Sequence, residues 1–230
     1  MPFDKLSVIV PFFNEATTLE TSINAILEVD VGIEVEIITV DDGSSDGFSV
    51  CDSLKDSESI ICLSHATNRG KGAAIRTGLQ KATGNIVVIQ DADLEYNPQE
   101  WIKMIPLMTE GTEQVVYGSR FLGKIDNMSL KAKIANLTLT RLTNLLFKSN
   151  LTDMETCMKM FRIDLLKDVE LVSSDFRIEP ELTSVFLKKG IPIKEVPINY
   201  MARTVSTGKK IRAKDALLAI IALFRFRFNH

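Results

Sequence analysis

Three carboxylates, Asp91, Asp93 and Glu95, follow the apolar run Ile86-Val87-Val88-Ile89 in the stretch "VIQDADLEYNP". Alternate residues of an extended chain point the same way, so this spacing predicts that all three face one site. Converging anions repel unless something neutralises them. A hard divalent cation, Mg²⁺ or Mn²⁺, does so with oxygen ligands and accepts a substrate phosphate as co-ligand. The other reading is a surface turn in which Asp91 caps a helix and its neighbours are solvated. Two more polar clusters close apolar runs: Asn14 and Glu15 after "LSVIVP", and Asp41 and Asp42 after "VEIITV". The run "NRGKG" could cradle phosphate through backbone N–H groups at a helix start, although it lacks Walker-loop spacing. Its alternative is a glycine turn with solvated Arg69 and Lys71. Nothing resembles a Ser-His-Asp or Cys-His arrangement, and His65 reads as a satisfied structural histidine.

The elements that must position these groups alternate. Strand-like "LSVIVP" (6–11) precedes a helix over 15–28, for which Asn14 is the expected cap. "VEIITV" (35–40) leads through "DDGSSDG" and a helical segment to "SIICLS" (59–64), and a helix over 72–82 precedes "NIVVIQ" (85–90). Apolar strands alternating with helices argue for a parallel sheet covered on both faces. Ligands of such sheets bind beyond the carboxyl ends of the strands, where the three polar clusters lie. The second half is less regular: helices near 98–109, 129–147 and 179–189, strands "QVVYG" and "IKEVPI", and a C-terminal amphipathic helix. We read residues 1–212 as one domain, with halves 1–97 and 98–212, and 213–230 as an appended helix.

Composition sets outer bounds. A chain of 230 residues, 45% hydrophobic and 25% charged, has the make-up of a globular protein, and a net charge of −3 argues against nucleic acid as a partner. The charge is unevenly placed: from Tyr200 onward seven Lys/Arg face one acid, a balance of +6, which leaves −9 elsewhere. A basic tail on an acidic body suggests an anionic partner, phosphate or a membrane surface. Cys51, Cys62 and Cys157 are odd in number and widely spaced, which fits free thiols in a reducing compartment. No apolar signal region follows Met1, and "ALLAIIALF" (216–224) is half the length of a membrane span. The expectation is a cytoplasmic protein whose C-terminal helix, with Leu217, Leu218, Ile220, Ile221, Leu223, Phe224, Phe226 and Phe228 among basic residues, lies on the cytoplasmic face of a membrane. Its alternative is packing on the domain itself, on another copy, or on a membrane-protein partner.

"VIQDADLEYNP", with "VDDGSSD" and "NRGKG" before it at these intervals, resembles the nucleotide-sugar domain of family 2 glycosyltransferases, whose α/β fold is GT-A. "YGSRF", "TDMETCMKMFR", "FRIEPEL" and "YMARTVSTGKKI" resemble the dolichol-phosphate mannose synthase-like branch, the polyprenyl-phosphate hexosyltransferases. The resemblance covers about residues 5 to 212. It implies a GT-A fold with a mostly parallel central sheet and helices on both faces. It further implies an enzyme that transfers a hexose, with inversion, from a UDP- or GDP-sugar to a polyprenyl phosphate. Asp91 and Asp93 would hold the metal, with Glu95 as third ligand. Pro11, Asn14, Glu15, Asp41, Asp42, Gly43, Arg69, Gly70, Lys71 and Ala92 would line the nucleotide sugar, Gly43 allowing the turn to approach the ligand closely. Arg120, Arg203 and Lys209 would grip the acceptor phosphate, a task suited to the planar guanidinium fork. Ser206, Lys210, Lys131 or Lys133 would assist, and Asp153 and Glu179 would frame the sugar and acceptor pocket. Rival readings are a soluble or saccharide acceptor, a nucleotidyltransferase, and a catalytically idle nucleotide-sugar binding module. A processive synthase is disfavoured because Trp101 is the only Trp and stands outside a Q-x-x-R-W motif.

Overall fold

The computed structural model describes residues 5–46, 59–203 and 213–228. The helical segment expected before "SIICLS", together with Ser206, Lys209 and Lys210, lies outside the described residues.

The four apolar runs of the first half form strands β1 (Lys5–Phe12), β2 (Glu34–Asp41), β3 (Ile60–Ser64) and β4 (Ile86–Ile89), mutually parallel. Val8, Ile9, Ile37, Ile38, Val87 and Val88 are fully buried, as a sheet covered on both faces requires. Helices α1 (Leu19–Leu27) and α2 (Lys71–Leu79) connect them. The 98–109 segment divides into a 3₁₀ turn, Pro98–Lys103, and α3 (Ile105–Thr109), because Pro106 cannot supply an N–H to a continuous helix. Beyond it come β5 (Val115–Ser119), the short β6 (Ile125–Asp126), α4 (Leu130–Phe147), β7 (Lys159–Arg162), α5 (Ile178–Lys188), β8 (Lys194–Pro197), β9 (Tyr200–Met201) and α6 (Ala213–Phe228).

The seven-stranded sheet runs β3-β2-β1-β4-β7-β5-β8, and β7 is antiparallel to both of its neighbours. That reversal brings the second half of the chain to the site. The start of β7 lies at the carboxyl end of β4, with Val88 paired to Met160. The loop entering β7, 152–158, therefore stands beside the Asp91–Asp93 turn. Strands β6 and β9 form a separate parallel pair, tied to the turn after β4 by a bridge between Tyr96 and Tyr200. The expected strands and most helices are present; β6, β7 and β9 were not anticipated.

Helix α6 packs one face on the domain. Ala219 and Leu223 are buried with Leu139, Leu151 and Met154, Lys188 Nζ donates to the Phe226 carbonyl at 3.2 Å, and Arg227 Nε donates to that of Leu146 at 2.8 Å. Leu217, Ile221, Phe224 and Phe228, at helical spacing, remain exposed on the other face. Among the described residues no helix is long and apolar enough to cross a membrane.

Candidate functional site

Backbone continuity explains why the polar clusters meet: β1, β2 and β4 are neighbours, so the loops at their carboxyl ends are too. The loop after β1 is stitched to the turn after β2. Asn14 N donates to Ser44 Oγ at 2.9 Å, Ser45 N to Asn14 Oδ1 at 2.8 Å and Ala16 N to Asp46 Oδ2 at 3.0 Å. Asn14 therefore does not cap α1, which starts at Leu19 after Thr18 without a side-chain cap. Asp41 Oδ1 accepts from Ser44 N at 2.8 Å within the same turn. Pro11, at the end of β1, is buried beside Val40.

Asp42 has a different task from the ligand contact expected of it. Its buried carboxylate accepts from Arg69 N at 2.9 Å and Gly70 N at 2.7 Å, and it meets His65 Nδ1 at 2.7 Å. It thus anchors the "NRGKG" loop, and His65, whose Nε2 also meets Thr77 Oγ1 at 2.9 Å, is the satisfied structural residue expected. Gly43, expected to allow close approach of a ligand, is required by packing. At φ +75° an added Cβ would come within 2.5 Å of the Thr67 carbonyl carbon. Gly70, at φ +96°, likewise packs against the Ser174 carbonyl oxygen, 2.3 Å from where its Cβ would be.

Arg69 is exposed, but Lys71 is not the solvated cation of the alternative reading. Its ammonium lies 2.9 Å from Asp91, 3.1 Å from Glu179 and 3.3 Å from Cys157 Sγ. Burial opposes its charge, yet Asp91 and the other neighbours hold it protonated well above the usual range. Burial pushes the Cys157 thiol upward, with Asp91 adding to the effect, which disfavours its thiolate. Glu179 is shared with the fully buried Lys159, whose Nζ lies 2.6 Å away.

The three-carboxylate expectation needs correction. Strand β4 ends at Ile89, and the chain then turns, with Leu94 at φ +63°, so alternate residues no longer share a face. Asp91 faces Lys71, whereas Asp93 lies 3.2 Å from Arg203. Glu95 accepts from the Tyr200 hydroxyl and from Arg203 N at 2.7 Å, which fastens the turn to β9. Among the described residues no group of three or more His, Cys, Asp or Glu is placed to hold a metal. The donor chemistry nevertheless suits one. Burial, followed by the charges of Asp91 and Glu95, raises the Asp93 carboxyl to about 7 despite Arg203. Two neighbouring aspartates, one of them raised by burial and by the other carboxylates, form an oxygen donor set that a divalent cation suits. Ala92, between them, is buried.

On the acceptor side Arg203 closes its fork on Glu15, at 2.9 and 3.1 Å, and reaches Asp93 as well, joining three separated segments. Arg120 does not present a free fork. Its Nε and Nη2 each donate to Asp153 at 2.7 Å, and its backbone N donates to the same carboxylate at 3.0 Å. Burial of both partners makes this pair a brace for the 152–157 loop, so in this structure the fork of Arg120, expected to grip the acceptor phosphate, is engaged by Asp153. Lys131 and Lys133 are exposed on α4. Sequence reasoning missed Lys159, Glu195, whose carboxylate accepts from Thr152 N and Asp153 N at 2.7 and 2.9 Å, and Glu155 in the same loop. The signal available for Glu155 and Lys159 was their place within "TDMETCMKMFR"; Glu195, in "IKEVPI", offered none.

The chain is similar to several known proteins. The model of "Glycosyl transferase family 2" matches residues 7–170. An uncharacterized protein of Methanocaldococcus jannaschii is 29% identical over 218 residues, 90% of this chain and 87% of that one. A dolichol-phosphate mannosyltransferase of Pyrococcus furiosus is 26% identical over 89% of this chain. An undecaprenyl-phosphate 4-deoxy-4-formamido-L-arabinose transferase of Pectobacterium carotovorum is 28% identical, also over 89%. The chain spans 59% and 62% of the length of these two transferases. In fold it is similar to glucosyl-3-phosphoglycerate synthase from Mycobacterium tuberculosis in complex with Mn²⁺, uridine diphosphate and phosphoglyceric acid. That similarity has a TM-score of 0.75 at 19% identity, covering 98% of this chain and 79% of that one.

Proposed function

The chain belongs to glycosyl transferase family 2, in its dolichol-phosphate mannose synthase-like branch and with the GT-A fold, and on that premise we propose that it transfers a hexose from a UDP- or GDP-sugar to a polyprenyl phosphate. The observation that carries this reading is the aspartate pair at the carboxyl end of β4, flanked by Lys71 and Arg203 and ringed by loops from both halves of the chain. The names of the two transferases aligned over 89% of the chain, both polyprenyl-phosphate enzymes, support the acceptor class.

In this reading residues 1–97 bind the donor and 98–212 the acceptor. Pro11, Asn14, Glu15, Asp41 and the loop held by Asp42 line the nucleotide. Asp91 and Asp93 are the residues that would hold Mg²⁺ or Mn²⁺, which when bound supplies positive charge for the departing diphosphate. Lys71 and Arg203 add cationic groups beside those aspartates. Arg203 and Lys209 orient the acceptor phosphate, whose second pKa of about 6 leaves it largely dianionic at neutral pH. Such a nucleophile attacks the anomeric carbon without a strong general base. In-line displacement inverts that carbon, giving a β-linked product from an α-linked donor. The lipid acceptor places the reaction at the cytoplasmic face of a membrane, with the exposed Leu217, Ile221, Phe224 and Phe228 and the nearby Arg225 and Arg227 against anionic headgroups.

A panel of labelled UDP- and GDP-sugars, incubated with polyprenyl phosphate and Mg²⁺ or Mn²⁺, tests this. Label in the organic phase from one nucleotide class is the expected result. Label appearing only in a water-soluble acceptor would overturn the lipid assignment. In liposome flotation the protein should rise with anionic vesicles, and the chain lacking 213–230 should not.

A further inference from the structure

Resting on the glycosyl-transfer reading, we propose that Glu155 is a specificity-determining residue that hydrogen-bonds a hydroxyl of the transferred hexose. Its surroundings are pinned at almost every residue. Thr152 N and Asp153 N donate to Glu195, and Asp153 holds Arg120. Met154 N donates to Thr140 Oγ1 at 3.0 Å, Thr156 Oγ1 to the Gly118 carbonyl at 2.7 Å, and Cys157 N to the Tyr96 hydroxyl at 3.2 Å. Lys159 Nζ ties the carbonyls of Met154 and Thr156. Within this rigid loop Glu155 Oε1 is shielded from water and has no hydrogen-bond partner among the described residues. A buried acceptor left without a partner is costly unless a ligand supplies one.

Position and charge specify the ligand. The loop enters β7, so it lies past the carboxyl end of β4 on the side away from β1 and β2. A donor whose nucleotide rests on the β1 and β2 loops, and whose diphosphate lies at Asp91 and Asp93, extends its sugar toward this side. The charges acting on Glu155 are Lys159, Glu179, Arg120 and Asp153. They are already matched in two buried pairs, Lys159 with Glu179 and Arg120 with Asp153. Neither of these two cations is left over to attract a phosphate, and an anion would meet three carboxyl groups. Burial, chiefly, raises the Glu155 carboxyl to about 7, so near neutrality it both donates and accepts. A neutral hydroxyl group, which also donates and accepts, is the complementary ligand.

The test is isothermal titration with UDP, GDP, UDP-glucose and GDP-mannose in Mn²⁺ on the wild type, Glu155→Met and Glu155→Gln. Met keeps the bulk without either oxygen, and Gln keeps a donor and an acceptor. The expected result is that Met lowers the affinity for the sugar nucleotide relative to its nucleoside diphosphate by about tenfold, the size of one lost hydrogen bond. The diphosphate itself should bind unchanged, and Gln should restore most of the ratio. An unchanged ratio, or equal weakening of both ligands, overturns the role of Glu155 while leaving glycosyl transfer intact. Wild-type protein that binds none of the four overturns the transfer reading itself. Melting curves establish that both variants fold.

Discussion

Glu36 and Glu155 stand at opposite ends of one sheet, Glu36 buried and Glu155 half-buried with its Oε1 shielded from water, and their environments are opposite. Glu36, near the amino end of β2, accepts from Ser7 Oγ, Thr83 N and Oγ1 and Gly84 N, with Lys5 Nζ at 3.1 Å. Burial alone would raise its carboxyl, but the bonds from Ser7, Thr83 and Lys5 more than reverse this and bring it down to about 2. Glu155, at the carboxyl end, has an oxygen without a partner and is raised to about 7, and Asp93 nearby is raised as far. The chain can satisfy a buried carboxylate completely, and does so where the sheet only needs holding together. Where it leaves a buried carboxyl oxygen without a partner, as at Glu155, the remaining partner is to come from a ligand.

The largest effect should come from crossing the two ends. Asp91→Ala is expected to lower hexose transfer per folded molecule by at least about a hundredfold, the scale of losing stabilisation for a departing charge, with a lowered melting temperature because the buried Lys71 ammonium keeps Glu179 but loses Asp91. Glu36→Ala should act on stability alone. It strands the donors of Ser7, Thr83 and Gly84, at a cost of about 3 kcal/mol, read by urea denaturation, with transfer per folded molecule unchanged. If Asp91→Ala unfolds the protein, or Glu36→Ala abolishes transfer in folded protein, the division of labour between the two ends is wrong.

The same division governs what could be read from the sequence. The first-half strands were legible because β-branched runs such as "IITV" and "IVVI" are local signals, and the polar residues after them marked the site's position. The partners were not legible. Lys71 is 20 residues from Asp91, and Arg203 is 188 from Glu15, so their pairings depend on topology rather than local pattern. The antiparallel β7 has no local signature either: "KMFR" would look the same in either sense, and long-range packing sets its direction. Reading Asp91, Asp93 and Glu95 as one face failed because the extended-chain assumption was carried past Ile89 into a turn. Arg120 was legible as an important arginine but not as one closed on Asp153.

The finest probe is pH, because the two carboxyls shift in opposite directions. Glu155 is an acid whose folded pKa is raised, so folded protein keeps a proton that unfolded chain releases. The resulting loss of stability begins near the ordinary carboxylate pKa of 4.5 and is complete above about 7. Glu36 is depressed, so its contribution is full above 4.5 and disappears as pH falls toward about 2. Glu155→Gln should therefore be more stable than wild type at about pH 8, by on the order of 2 kcal/mol, and equal to it near about pH 4. Glu36→Gln should be less stable at neutral pH and converge with wild type only in acid. Urea denaturation of the three proteins across this range gives two difference curves. If both slope the same way, Glu155 is satisfied in solution as Glu36 is, and its carboxyl is not being held for a ligand.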